Sequence, residues 1–142
     1  MNAFQEKIAA WLARNGPKRS LNQCFDLPIV LATDIGLQRS ENQDRVAALR
    51  ISAKRDGGRS LIAVAVADGM GGMREGGKCA TLALSSFFYA LTLYRGFDLQ
   101  RRAAAAISYA NDQVFKFAAG KGGSTLSSVL IDQDRRPFLV NR

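Results

Sequence analysis

Asp68 closes the apolar run "LIAVAVAD" (61–68) and is followed at once by glycines at 69, 71 and 72. A carboxylate at the end of a strand is held rigidly by the sheet yet stays open to solvent. Glycines beside it let the backbone come close to an ion, so that a carbonyl can join the carboxylate as a ligand. Hard oxygen donors of this kind suit Mg²⁺ or Mn²⁺. A second stretch, "TDIGLQRSENQDR" (33–45), carries Asp34, Glu41 and Asp44 beside Arg39 and Arg45. Acids take a metal and the planar arginine fork takes two phosphate oxygens, so one such loop can hold both. Taken alone, each stretch has a plainer and commoner reading. The first is a strand-to-helix turn with an aspartate cap; the second is a solvated charged loop.

The rest of the composition narrows the chemistry. The chain contains no histidine and two cysteines, Cys24 and Cys79. Nucleophilic triads with a histidine base are excluded, zinc held by cysteine and histidine is disfavoured, and two cysteines make no disulfide framework. Hydrolysis would have to run on carboxylates, a metal or both. The net charge is +8, which attracts polyanions. The basic residues nevertheless fall into separated pairs, at 18–19, 54–55, 101–102 and 135–136, with no aromatic strip among them. Nucleic acid is therefore not the expected partner. No apolar run approaches the ~20 residues needed to span a bilayer, and Glu6 and Lys7 interrupt the N-terminus where a signal peptide would be apolar. A soluble, cytoplasmic protein with no membrane partner is expected.

The elements that would position these residues follow from periodicity. The length, 142 residues, suits one domain, and 47% hydrophobic residues can form a core. Phe4, Ile8, Trp11 and Leu12 are at helical spacing in 3–14, and "NGPKRS" stops that helix. It is either a simple packing helix or an appendage docking on another chain. Strands are expected at 28–36, 45–52 and 61–68, the last two joined by a hairpin at Asp56-Gly57. The small and β-branched residues of 61–68 suit burial on both faces. Two long helices follow, at 77–95 and 98–119. Asp98 is the N-cap of the second, and Ala104, Ile107, Ala110, Val114 and Phe117 are its inner face. Strands at 124–132 and 137–141 end the chain. This order predicts an α+β fold with antiparallel hairpins.

Read together, the stretches say more. "D-I-G-x-x-R-x-x-N-Q-D-R" (34–45), "A-D-G-M-G-G-x-x-x-G" (67–76) and "G-G-S-T-L" (122–126) occur in the order and spacing of the metal-dependent protein phosphatases. The chain thus resembles the PPM, or type 2C serine/threonine, family in its bacterial form. The resemblance implies the N-terminal half of a β-sandwich of antiparallel sheets flanked by helices. It implies hydrolysis of phosphoserine and phosphothreonine in signalling proteins, by a water activated on two Mg²⁺ or Mn²⁺ ions and without a phospho-enzyme. Residue by residue, Asp68 matches the aspartate that bridges the metals and Gly69 the glycine whose carbonyl is a ligand. Asp44 matches an acid acting through bound water, and Arg39 the arginine that grips the substrate phosphate.

The resemblance covers residues 30–142. It divides the chain into an N-terminal helical extension, 1–27, and a partial phosphatase domain, 28–142. Met73 stands where the family often has histidine. After "F-L-V-N" the family continues into "G-D-S-R" and two further metal-binding aspartates; Asp132 and Asp134 fall in a turn before those motifs. The expectation is a chain that is inactive alone, with open sheet edges and an exposed apolar face. It would self-associate or pair with a complementary C-terminal half. The competing expectation is a non-catalytic remnant or binding module that needs such a half.

Overall fold

A computed structural model describes residues 1–15, 20–23, 28–52, 60–70, 75–132 and 137–141. The Asp56-Gly57 hairpin signal, Gly71, Gly72, Met73, Cys24 and the 133–136 turn lie outside the described residues.

The chain runs α1 (Ala3–Asn15), β1 (Ser20–Gln23), β2 (Val30–Thr33), β3 (Asp44–Ser52), β4 (Ser60–Asp68), α2 (Gly76–Leu93), α3 (Leu99–Ala118), β5 (Ser127–Ile131) and β6 (Pro137–Asn141). β3, β4, β5 and β6 form one antiparallel sheet in that order, and β1 and β2 form a separate antiparallel pair. This is the expected α+β arrangement. Among the described residues no helix is long and apolar enough to cross a membrane.

β4 organises the domain. Its residues alternate, as a pleated strand requires. Leu61, Ala63, Ala65 and Ala67 are buried and point to the helices; Ile62 and Val64 are half-buried on the other face, where Val66 is 46% exposed. The expectation of burial on both faces is thus met on one face only. Three of the four inward residues are alanine, so α2 can lie close against the sheet. From α2, Leu84, Phe87, Phe88 and Leu91 fill the layer between sheet and helices at essentially no exposure. Truncating any of these aromatics would leave a cavity and cost about 3–5 kcal/mol.

α3 packs on α2 through Ala103, Ala106 and Ala110, with Ile107 and Val114 at the margin. Of the expected inner face, Ala104 and Phe117 are instead exposed. The alanines let the helices approach closely, so the face centres on the smallest side chains rather than on the periodic bulky ones. Asp98 caps the helix as expected: its Oδ1 accepts from the Arg101 N–H at 2.9 Å.

α1 packs against α2 and the β3 edge. Leu12 and Gln5 are buried, while Phe4 and Trp11 are partly exposed, so the inner face is turned from the expected one. The turned face carries a polar contact: the Gln5 Nε2 donates to the Ser86 Oγ at 2.8 Å inside the helix pair. β1 is an element that the sequence reading does not anticipate. "SLNQ" has no apolar run of its own, and its extended form rests on its four-residue pairing with β2.

Candidate metal centre

The β3–β4 ladder sets the site. Its register runs from Ser52 opposite Ser60 to Asp44 opposite Asp68. Two carboxylates therefore stand side by side at one end of the sheet. Asp44 is pushed above the usual aspartate range, first by partial burial, then by a hydrogen bond to the Asp68 carboxyl and by its like charge; Arg39 and Arg45 oppose the rise. Adjacent carboxylates resist ionising together. A divalent cation between them relieves that repulsion, so these two oxygen-donor groups fit Mg²⁺ or Mn²⁺. Among the described residues no group of three or more acids, cysteines or histidines comes together to hold a metal. The fit is to the carboxylate pair of such a centre.

The three acids of the 33–45 loop take different places. Asp34 Oδ1 accepts from the Gly36 N–H at 3.0 Å, closing a local turn. Glu41 lies near Gly77 at the start of α2. Asp44 alone faces Asp68. Asp132 follows Ile131, whose partner is Ile62, so it sits at the far end of the sheet from Asp68.

The two arginines also separate. Arg39 is exposed beside the carboxylates, open to an anion arriving from solvent. Arg45 is buried and committed inside the protein. Its Nη1 donates to the carbonyls of Asn42 at 2.8 Å and Asp44 at 2.7 Å, and its Nε donates to Thr81 Oγ1 at 3.0 Å. Burial lowers its pKa, opposed by Glu41 and Asp44. Arg45 thus braces the loop against α2 and is not placed to fork a phosphate.

Gly69 is needed for close packing. A β-carbon there would overlap the Gly76 carbonyl and come within 2.9 Å of the Gln43 carbonyl oxygen. The Gly69 N–H donates to that Gln43 oxygen at 3.2 Å. The sequence reading assigns glycine here to clearance of an ion; the neighbour it visibly clears is the first turn of α2.

Two supports went unrecognised in the sequence. Asn42 is buried, donates from Nδ2 to Thr33 Oγ1 at 2.7 Å, and accepts the Asp44 N–H on Oδ1 at 3.0 Å. It links β2 to the start of β3 and orients Asp44. The asparagine two residues before an aspartate is a local turn signal that could have flagged it. The Ser124-Thr125 pair of the "G-G-S-T-L" stretch is hydrogen-bonded to the Asp68 backbone.

No protein-family model matches the chain, and a search of the curated proteins finds no match. Among solved structures, the chain is similar to the PPM Ser-Thr phosphatase MsPP from Mycobacterium smegmatis, determined in complex with cacodylate. The two are 28% identical with a TM-score of 0.58, over 78% of this chain and 43% of that one. The chain spans less than half the length of that phosphatase.

Proposed function

We propose, from the PPM-type fold that this chain shares with the mycobacterial phosphatase, that it carries part of the metal centre of a phosphoprotein serine/threonine phosphatase. The observation that carries the reading is Asp44 opposite Asp68 at the sheet end, with Arg39 beside them. When bound, a pair of Mg²⁺ or Mn²⁺ ions supplies a water of lowered pKa and neutralises phosphoryl charge. In this reading Asp68 and the Gly69 carbonyl are the direct ligands, and Asp44 acts through water. Arg39 binds and orients the phosphate of the protein substrate. Arg45, Asn42 and the close Gly69–Gly76 contact hold these groups in place.

A second reading is favoured by the ligand count. The described residues bring together two carboxylates and no third metal-ligating side chain. In that reading the chain completes its centre only with a complementary polypeptide or a second copy, and is otherwise a binding module.

Hydrolysis of p-nitrophenyl phosphate by the purified 142-residue chain in excess Mn²⁺ separates the two. Turnover that EDTA and Asp68→Asn both abolish supports the first reading without a second polypeptide. Turnover no higher than that of Asp68→Asn sinks it for the chain on its own.

A further inference from the structure

We infer that Ser124 and Thr125 are positioning residues for Asp68, an assignment that rests on the metal-centre reading above. Both backbone polar groups of Asp68 are taken up by this pair. The Thr125 N–H donates to the Asp68 carbonyl at 2.8 Å. The Asp68 N–H donates to the Thr125 Oγ1 at 3.2 Å. The Ser124 hydroxyl lies 3.0 Å from the Asp68 carbonyl and 2.8 Å from the Thr125 carbonyl, and shares its one proton between them.

The pattern departs from a plain ladder in one place. β4 and β5 pair as far as Val66 opposite Ser127, and the same register continues to Gly69 opposite Ser124 and to the Met70 N–H donating to Gly123 at 3.1 Å. In a regular antiparallel pair Asp68 and Thr125 would exchange both main-chain bonds. Only one is made. The Thr125 hydroxyl takes the Asp68 N–H instead, and the Thr125 carbonyl so released is met by Ser124. Two side chains thus replace one main-chain bond at the residue that presents the carboxylate, and every backbone group stays satisfied. On the other flank the Gly69 N–H is held by Gln43. The Asp68 backbone is therefore fixed from both sides, and the hydroxyls set the direction in which its carboxylate meets Asp44.

The test uses the full chain and two readouts: exchange of the Asp68 amide by NMR, and Mn²⁺ affinity by electron paramagnetic resonance. Thr125→Val is expected to speed that exchange and to weaken Mn²⁺ binding roughly tenfold, the lower end for loss of an outer-shell partner. Thr125→Ser, which keeps the hydroxyl, is expected to restore both. Ser124→Ala is expected to weaken Mn²⁺ binding in the same direction without unfolding the chain. An Asp68 amide that exchanges freely in the wild type overturns the assignment. So does Mn²⁺ affinity unchanged in Thr125→Val and Ser124→Ala while Asp68→Asn reduces it. Wild-type affinity in Asp68→Asn, or no Mn²⁺ uptake by the wild type, overturns the metal-centre reading itself and the positioning role with it.

Discussion

Arg45 Nε donates to Thr81 Oγ1 at 3.0 Å, across 36 residues of sequence, and Thr81 in turn donates to the Gly77 carbonyl at 2.7 Å. A buried guanidinium therefore joins the loop that carries Asp44 to the first turns of α2. Arg45→Met keeps the stem but strips the donors from two loop carbonyls. It is expected to lower stability by about 2–4 kcal/mol in urea unfolding. Arg39→Met, on the exposed arginine, is expected to stay within about 0.5 kcal/mol of wild type and, under the proposed phosphatase reading, to weaken binding of a phosphorylated ligand. Equal stability losses in the two variants would show that Arg45 is no more a brace than Arg39 is.

Gly69→Ala is expected to cost roughly 2–3 kcal/mol, because its β-carbon meets backbone that cannot rotate away. The overlapping atoms are the Gly76 carbonyl and the Gln43 carbonyl. Gly96→Ala is the control: a β-carbon there meets nothing within 4 Å, and the change is expected to be neutral within about 0.5 kcal/mol. Thermal melts of both variants in EDTA test packing apart from metal binding. A Gly69→Ala chain that melts with the wild type removes the steric account.

That the two acidic motifs meet at one end of a hairpin was legible before the structure, and the reason is geometric. Every pair from Ser52–Ser60 to Asp44–Asp68 is centred on position 56. A two-residue turn at Asp56-Gly57 would centre the pairs half a residue later and set Asp44 opposite Gly69, so along strands of nine residues the hairpin signal brings the two motifs to one end of the sheet but does not give the carboxylate register. The long helices were legible because their periodicity is local. Contacts between elements were not. β1 is four polar-rich residues whose extension rests on a partner, and the inner faces of α1 and α3 turn on Gln5 and on a row of alanines. The role of Arg45 was hidden for the same reason: composition shows an arginine near acids, but only packing shows that it is spent on carbonyls.

The carboxylate pair has a pH signature. Asp44 is raised in the folded state by burial and by Asp68, so the folded chain holds its proton to higher pH than the unfolded one. Stability is then lost as pH rises from the unfolded aspartate value, near 3.9, through the higher folded value. Asp44→Asn removes that loss. It is expected to stabilise the metal-free chain at pH 7 by a few tenths of a kcal/mol, screened because the residue is exposed, with the advantage gone below about pH 4. Saturating Mn²⁺ is expected to reverse the order at pH 7, since binding to the folded state alone adds stability. Paired melts at the two pH values, with EDTA and with Mn²⁺, check this. An Asp44→Asn advantage that persists at low pH would show that its origin is not this ionisation.

Gln5 and Ser86 are both fully buried and joined by one hydrogen bond of 2.8 Å between α1 and α2. The Gln5 Oε1 has no hydrogen-bond partner among the described residues. Ser86→Ala therefore leaves the whole Gln5 amide buried and unsatisfied, and is expected to cost about 1–3 kcal/mol. Gln5→Leu is expected to cost less, because a helical serine hydroxyl can turn to the carbonyl four residues back. The double variant replaces the pair by apolar atoms of similar shape and is expected to be near neutral or stabilising. The cycle should then show strong coupling, with the double variant more stable than Ser86→Ala alone. Equilibrium unfolding of the four proteins measures it. Costs that simply add would mean that α1 is held by Leu12 and its apolar neighbours, with the buried amide contributing nothing specific to its seat on α2.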